Sequence, residues 1–164
     1  QNKLNTFGIA IGGSLGSNKE EMQEVVNFTA SKLQDDKPVH LLGIGDPIDI
    51  WSFVEKGIDT FDCVSPTRLA RHGSALVKGK KGKINLKNKT YKEILKPIDK
   101  NCLCYTCKNF TVSYLNHLFT SQELLAFQLL TNHNIFFMNN LMKTIRDSIN
   151  SDNYEKAKKD WFDK

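Results

Sequence analysis

Apolar positions follow two rhythms along this chain, and the rhythm changes near residue 71. Phe7-Gly8-Ile9-Ala10-Ile11-Gly12-Gly13 is a short apolar run closed by glycines, which predicts a buried strand. Ser14 to Asn18 reads as a polar turn. Ser17 or Asn18 then caps a helix whose first turn carries Glu20 and Glu21, favourable for the helix dipole. Met22, Val25, Val26, Thr29 and Leu33, with Phe28 less cleanly in phase, recur at helical spacing until Asp35-Asp36-Lys37-Pro38 ends the helix. Val39 to Gly45 predicts a second buried strand. Asp46-Pro47 opens a second helix, with Pro in the first turn where its missing N–H costs nothing, and Ile50, Phe53 and Val54 form its apolar face. Phe61 to Val64 is the third expected strand. Strand, helix, strand, helix, strand at these spacings predicts an α/β fold with right-handed crossovers and a parallel sheet. Three strands cannot bury both faces of such a sheet well, so either more strands come from another chain or the rest of this one covers them.

Beyond Arg71 the pattern differs. Ser74 to Val77 and Lys83 to Leu86 flank the turn Lys78-Gly79-Lys80-Lys81-Gly82 and predict a hairpin. From about Thr111 the spacing is helical, through Tyr114, Leu115 and Leu118. A fresh start at Ser121, Glu123 and Leu124 leads into a long apolar helix running to Ile149. Asn150-Ser151-Asp152 breaks that helix, leaving a polar tail with Trp161 and Phe162 as anchors. The expected parts are thus 1–71 (βαβαβ), 72–110 (hairpin and cysteine segment) and 111–164 (helical), all within one domain-sized chain.

Composition excludes several classes. The 164 residues are 40% hydrophobic and 25% charged, as in an ordinary globular protein, and no run of 18 apolar residues spans a membrane. The start lacks the basic and long apolar stretches of a signal peptide, so a cytoplasmic location is expected. It also lacks Met, which reads as a fragment, a processed product or a trimmed piece. The net charge of +5 hides an uneven spread: Arg68 to Lys108 holds 12 Lys/Arg against Glu93 and Asp99, and the remainder sums to −5. Such a block suits either a polyanion, of which nucleic acid is the usual one, or a solvated lysine-rich loop.

Three of the four cysteines fall within six residues, Cys102, Cys104 and Cys107. With no secretory signal, metal ligation fits better than a disulfide framework. With a histidine these thiols supply four ligands, the number a closed, structural zinc site takes. His133, inside the long helix, and His117 both qualify by spacing. Buried free cysteines with a core histidine are the plainer alternative, against which stands the polar, charged segment carrying them.

A single carboxylate interrupts the third apolar run, at Asp62, just before Pro66 and the arginines at 68 and 71. A carboxylate is costly in a strand unless it sits at the strand's end facing a cleft, where α/β proteins keep catalytic groups. The competing role is a cap on the turn that follows.

Taken together, these stretches resemble the tRNA-guanine transglycosylases (queuine tRNA-ribosyltransferases) of bacterial type, over their carboxyl-terminal half. The resemblance rests on Ala10-Ile11-Gly12-Gly13, on His40-Leu41-Leu42-Gly43-Ile44-Gly45-Asp46-Pro47, on Gly57-Ile58-Asp59 through Pro66-Thr67-Arg68, and on Ile84-Asn85-Leu86-Lys87-Asn88. Cys102-x-Cys104-x2-Cys107 with Asn132-His133-Asn134 completes it. It implies the last strands and helices of a (β/α)8 TIM barrel with a zinc-binding insertion and C-terminal helices. The implied enzyme is a pentosyltransferase of queuosine biosynthesis that exchanges the wobble guanine of a tRNA anticodon for a 7-deazaguanine.

By resemblance, Asp62 is the nucleophile on the ribose, Gly13 contacts the exchanged base, and Cys102, Cys104, Cys107 and His133 hold one structural Zn2+. Two stretches match RNA contacts: Gly43, Ile44, Gly45, Asp46, Pro47, Ile48 and Asp49, and then Thr67, Arg68, Leu69, Ala70 and Arg71. The expected partners are the tRNA anticodon loop, the 7-deazaguanine base, a second copy as a homodimer, and a separate N-terminal half carrying the general acid/base aspartate. Ser14-Leu15-Gly16-Ser17 is shorter than the corresponding loop of many bacterial members and lacks its glutamate, which leaves the preferred base open. The alternative from the same family is an inactive fragment or a non-catalytic, zinc-containing RNA-binding subunit. A DNA-binding zinc ribbon fits less well, given the strand–helix–strand start.

Overall fold

The computed structural model describes residues 5–13 and 18–163, so the loop Ser14-Leu15-Gly16-Ser17, with Ser17 as a possible cap, lies outside the described residues. Two compact units result, residues 1–64 and 65–164.

In the first unit, β1 (Ile9–Ile11), β2 (Val39–Leu41) and β3 (Thr60–Phe61) form a parallel sheet in the order β1-β2-β3. The register pairs Ile9, Ala10 and Ile11 with Val39, His40 and Leu41, and His40 and Leu41 with Thr60 and Phe61. The parallel pairing agrees with the spacing of the apolar runs, but every strand is shorter than its run. At both glycine ends the chain leaves the extended region: Gly13 has φ +97° and Gly43 φ +78°, conformations that only glycine adopts without strain. The third strand begins at Thr60 and stops at Phe61, not Val64, so Asp62 and Cys63 lie past its carboxyl end.

Helix α1 (Lys19–Ala30) starts on Asn18, whose side chain accepts from the Glu21 N–H. Helix α2 (Pro47–Val54) starts on Asp46, whose carboxylate accepts from the Ile48 N–H, with Pro47 in the first turn as expected. Ile11, Val26, Val39, Leu41, Phe53 and Ile58 make the core of this unit. Alternation along the strands puts the core on the Ile11/Leu41 side and leaves Ala10, His40 and Thr60 on the other. That second side is open: Ala10 and Thr60 are exposed and His40 is partly so.

In the second unit, α3 (Ser65–Arg71) replaces the Pro turn that the sequence suggested, with Pro66 in its first turn. The hairpin is present, with β4 (Ser74–Leu76) antiparallel to β5 (Lys83–Asn85) and Leu76 opposite Lys83. A 3-10 turn (Lys89–Tyr91) and the short α4 (Tyr105–Asn109) precede α5 (Val112–Thr120), which Thr111 caps by accepting from the Tyr114 N–H. Helix α6 (Leu124–Asn150) buries a stripe through Ala126, Leu129, Leu130, His133, Asn134, Phe137, Leu141 and Ile145, at i+3/i+4 intervals. The segment read as a polar tail is a helix, α7 (Tyr154–Phe162), and Trp161 does anchor it: the indole is buried edge-on to Phe137, ring centroids 5.4 Å apart. Phe162 is only partly buried. Among the described residues no helix is long and apolar enough to cross a membrane.

Candidate metal centre and strand-end site

Helix α4 begins within the run of clustered cysteines. The Cys104 sulfur occupies its N-cap and accepts from the Cys107 N–H at 3.2 Å, so two of the three thiols converge within one turn. Thr106, fully buried between them, donates its hydroxyl to the Leu129 carbonyl at 2.6 Å and fastens this turn to α6. His133 lies one turn further along α6. Its Nδ1 is 3.9 Å from Cys102 Sγ, 3.5 Å from Cys104 Sγ and 3.4 Å from Cys107 Sγ. All four ligand atoms lie within 4.8 Å of one another.

These separations suit a metal. Tetrahedral bonds of about 2.3 Å to sulfur and 2.0–2.1 Å to nitrogen space neighbouring ligand atoms about 3.5–3.8 Å apart. The imidazole is also turned correctly, since Nε2–H donates to the Leu76 carbonyl at 2.9 Å, which leaves the Nδ1 lone pair for an ion. His117, the other histidine in reach by spacing, is exposed on α5 and stands outside the cluster.

Electrostatics point the same way. Hydrogen bonds, the Cys107 thiol's above all, outweigh burial and bring the Cys104 thiol down to about 3. Cys107 moves up, because its proton is shared with the Cys104 thiolate and because it is buried. Burial opposes a charge on His133, but the sulfurs of Cys102 and Cys104 and the Leu76 carbonyl prevail and raise it to about 9. The pocket selects for positive charge, a proton or a metal ion, and four protein ligands leave no open coordination position.

Next to His133, Asn134 is fully buried. Its Oδ1 accepts from the Leu76 N–H at 2.9 Å, and its Nδ2 donates to the carbonyls of Pro66 (2.9 Å) and Ser74 (3.0 Å). One turn of α6 therefore joins the candidate metal ligand His133, the first hairpin strand and the start of α3. Asn134 stood in the sequence only as a matching letter.

The second candidate site lies at the carboxyl end of β3. Asp62 is exposed, and its Oδ1 accepts from the Gly43 N–H at 3.2 Å and lies 3.2 Å from His40 Nε2. His40, in mid-β2, had drawn no role from the sequence; only the parallel register reveals it, since it sits opposite Thr60 and thus beside Asp62.

Gly13 and Gly43 are exposed, Ile44, Gly45 and Pro47 half-buried, and Asp46 and Ile48 exposed. Asp49 is buried and held by Lys19, which also reaches Asp46, each at 3.1 Å. Burial raises the Asp49 carboxyl above its usual range, against the pull of Lys19. In the second unit Arg68 and Arg71 are exposed, Thr67 and Leu69 are half-buried, and Ala70 is fully buried in the core.

Comparison with known proteins gives this geometry its context. The family described as Queuine tRNA-ribosyltransferase matches residues 1–164. A queuine tRNA-ribosyltransferase of Roseiflexus sp. (strain RS-1) is 47% identical over 157 residues, 94% of this chain and 39% of that protein. The one from Dictyoglomus turgidum is 46% identical over 156 residues, again 94% of this chain and 40% of the relative. That from Fusobacterium nucleatum is 41% identical over 155 residues, 94% and 41%. The chain thus spans about two-fifths of the length of these curated relatives. On this match the chain belongs to the queuine tRNA-ribosyltransferase family.

Proposed function

We propose that this chain is the carboxyl-terminal part of a tRNA-guanine transglycosylase that replaces the wobble guanine of tRNA anticodons with a 7-deazaguanine, and that Asp62 is its nucleophile. One observation carries the reading: an exposed carboxylate just past the end of a parallel strand, held through one oxygen by the Gly43 N–H. Asp62 Oδ2 attacks ribose C1′ as the C1′–N9 bond breaks, and the electron pair leaves on guanine, which takes up a proton. The incoming base loses a proton and attacks C1′ through N9, and the ester's C1′–Oδ2 bond returns its pair to Asp62. Two displacements at one carbon retain its configuration, and each passes through an oxocarbenium-like transition state.

Cys102, Cys104, Cys107 and His133 hold a zinc ion, which braces α4 and the hairpin against α6 and takes no part in the chemistry. Gly13, with no Cβ and an open surround, lets main chain approach the base closely. The RNA passes over Gly43 to Ile48 and over the arginines at 68 and 71. Asp49 and Ala70, being buried, serve those stretches as supports. The open side of the three-stranded sheet fits the last strands of a (β/α)8 barrel, whose other strands and general acid/base aspartate come from sequence outside this chain, on the same polypeptide or a separate half. Alone, the chain is inactive. The assembled enzyme works in the cytoplasm, as a homodimer.

Adduct trapping tests this. The full-length protein, amino-terminal half included, incubated with an anticodon stem-loop RNA and no added base, gives a band that survives denaturant on a gel; Asp62→Ala loses the band and keeps RNA binding. An undiminished band in Asp62→Ala removes Asp62 from its role. RNA binding with no band from the wild-type protein favours a non-catalytic RNA-binding subunit.

A further inference from the structure

His40 is bracketed by two side chains, one on the neighbouring strand β3 and one just past its carboxyl end. Its Nδ1 lies 2.8 Å from Thr60 Oγ1, and its Nε2 lies 3.2 Å from Asp62 Oδ1. Thr60 and Asp62 are two residues apart and so project to one side, and the register sets His40 beside them. The Gly43 N–H donates to the same Oδ1 at 3.2 Å, so the ring and the main chain converge on one carboxylate oxygen.

We propose that His40 is a positioning residue for the Asp62 carboxylate, an inference that rests on the glycosyl transfer put forward above. A lone aspartate at a strand end turns about two side-chain bonds, and its two oxygens are interchangeable. Two donors on Oδ1 remove that freedom and present Oδ2 as the attacking atom. In the neutral ring only the Nε2–H form complements a carboxylate, so Nδ1 accepts the Thr60 hydroxyl proton and Thr60 fixes the tautomer. Once Oδ2 carries the sugar, Oδ1 is the ester carbonyl oxygen and still accepts from both donors. When the ester breaks, the same donors receive the returning charge without rearrangement.

The test has two arms, both on the intact protein. In the first, the histidines are 15N-labelled and the His40 tautomer is read by two-bond 1H–15N correlation above neutral pH. Nε2–H is expected in the wild type, and Thr60→Val should weaken that preference. In the second, the single-turnover rate of adduct formation is measured beside RNA affinity. His40→Leu, which keeps bulk without a donor, should lower the rate about tenfold or more, the scale of a misplaced reacting group, with affinity within about twofold. His40→Gln, which restores a donor near the Nε2 position, should recover most of the rate. Equal rates for His40→Leu and wild type, no advantage of Gln over Leu, or an Nδ1–H tautomer overturns the role of His40 while the transglycosylase reading stands. A wild-type protein that forms no adduct at all overturns both.

Discussion

Asn134 serves three backbone groups from one side chain, and removing the amide takes a partner from each, the Leu76 N–H included. Leaving buried polar groups unsatisfied costs about 1–3 kcal/mol apiece where water cannot reach them. Asn134→Ala should therefore destabilise the second unit by about 1–3 kcal/mol, seen as an earlier midpoint in urea. A loss under about 1 kcal/mol would show that water replaces the amide. Its neighbour His133 gives a pH prediction. In the metal-free protein its raised value means a stabilising contribution present below the ordinary 6.5 and lost as pH rises through about 9. The lowered Cys104 thiol contributes above its ordinary 9, and that contribution is lost as pH falls toward about 3. Metal entering near pH 7.5 must displace the His133 proton together with cysteine protons, so affinity rises with pH. Calorimetry in two buffers of different ionisation heat should give different apparent enthalpies; identical ones would mean that no proton leaves.

Helices whose boundaries were signalled by local chemistry were readable: Asn18 and Asp46 accept from the N–H groups that caps serve, and α2 begins where Asp46-Pro47 says it should. Elements fixed by tertiary packing were not. Helix α7 looked like a polar tail because its buried content is essentially Trp161, wedged on Phe137 beneath the Lys78 ammonium 4.2 Å from the ring centroid. Trp161→Ala should free that helix selectively: amide exchange over 154–162 speeds up while Leu129 to Ile145 stays protected. Uniform exchange across both helices would contradict this. In α6 the apolar count exceeded what is buried, since Leu124, Ile135 and Ile149 are exposed. A run of apolar letters does not reveal which stripe faces inward. The strands end before the glycines that close their apolar runs, and the ties from Asn134, Thr106 and His40 join positions that no local window contains. The cysteine spacing marked the thiols of the candidate metal site; spacing alone left His133 and His117 open, the resemblance pointed to His133, and the fold brings His133 to the thiols.

For the chain as a whole, the excess of positive charge between Arg68 and Lys108 sits largely on exposed side chains, Lys80, Lys81 and Lys83 among them. If RNA lies there, affinity should fall as salt rises, with a log–log slope of about −0.7 for each phosphate neutralised on single-stranded RNA. Lys80→Glu with Lys81→Glu should weaken binding to every sequence alike and flatten that slope, leaving adduct chemistry at saturating RNA unchanged. An unaltered slope would place the RNA elsewhere.

The order of the ligands has a consequence for synthesis. In the zinc site proposed above, three thiols leave the ribosome before the imidazole that completes the ligand set, and His133 lies 26 positions after the last of them, Cys107. At about 5–20 residues per second that gap lasts roughly one to five seconds. During it the nascent chain carries a loose trithiol, open to oxidants and to stray soft metals, so an early cellular casualty of oxidative stress should be newly made copies, with finished ones spared.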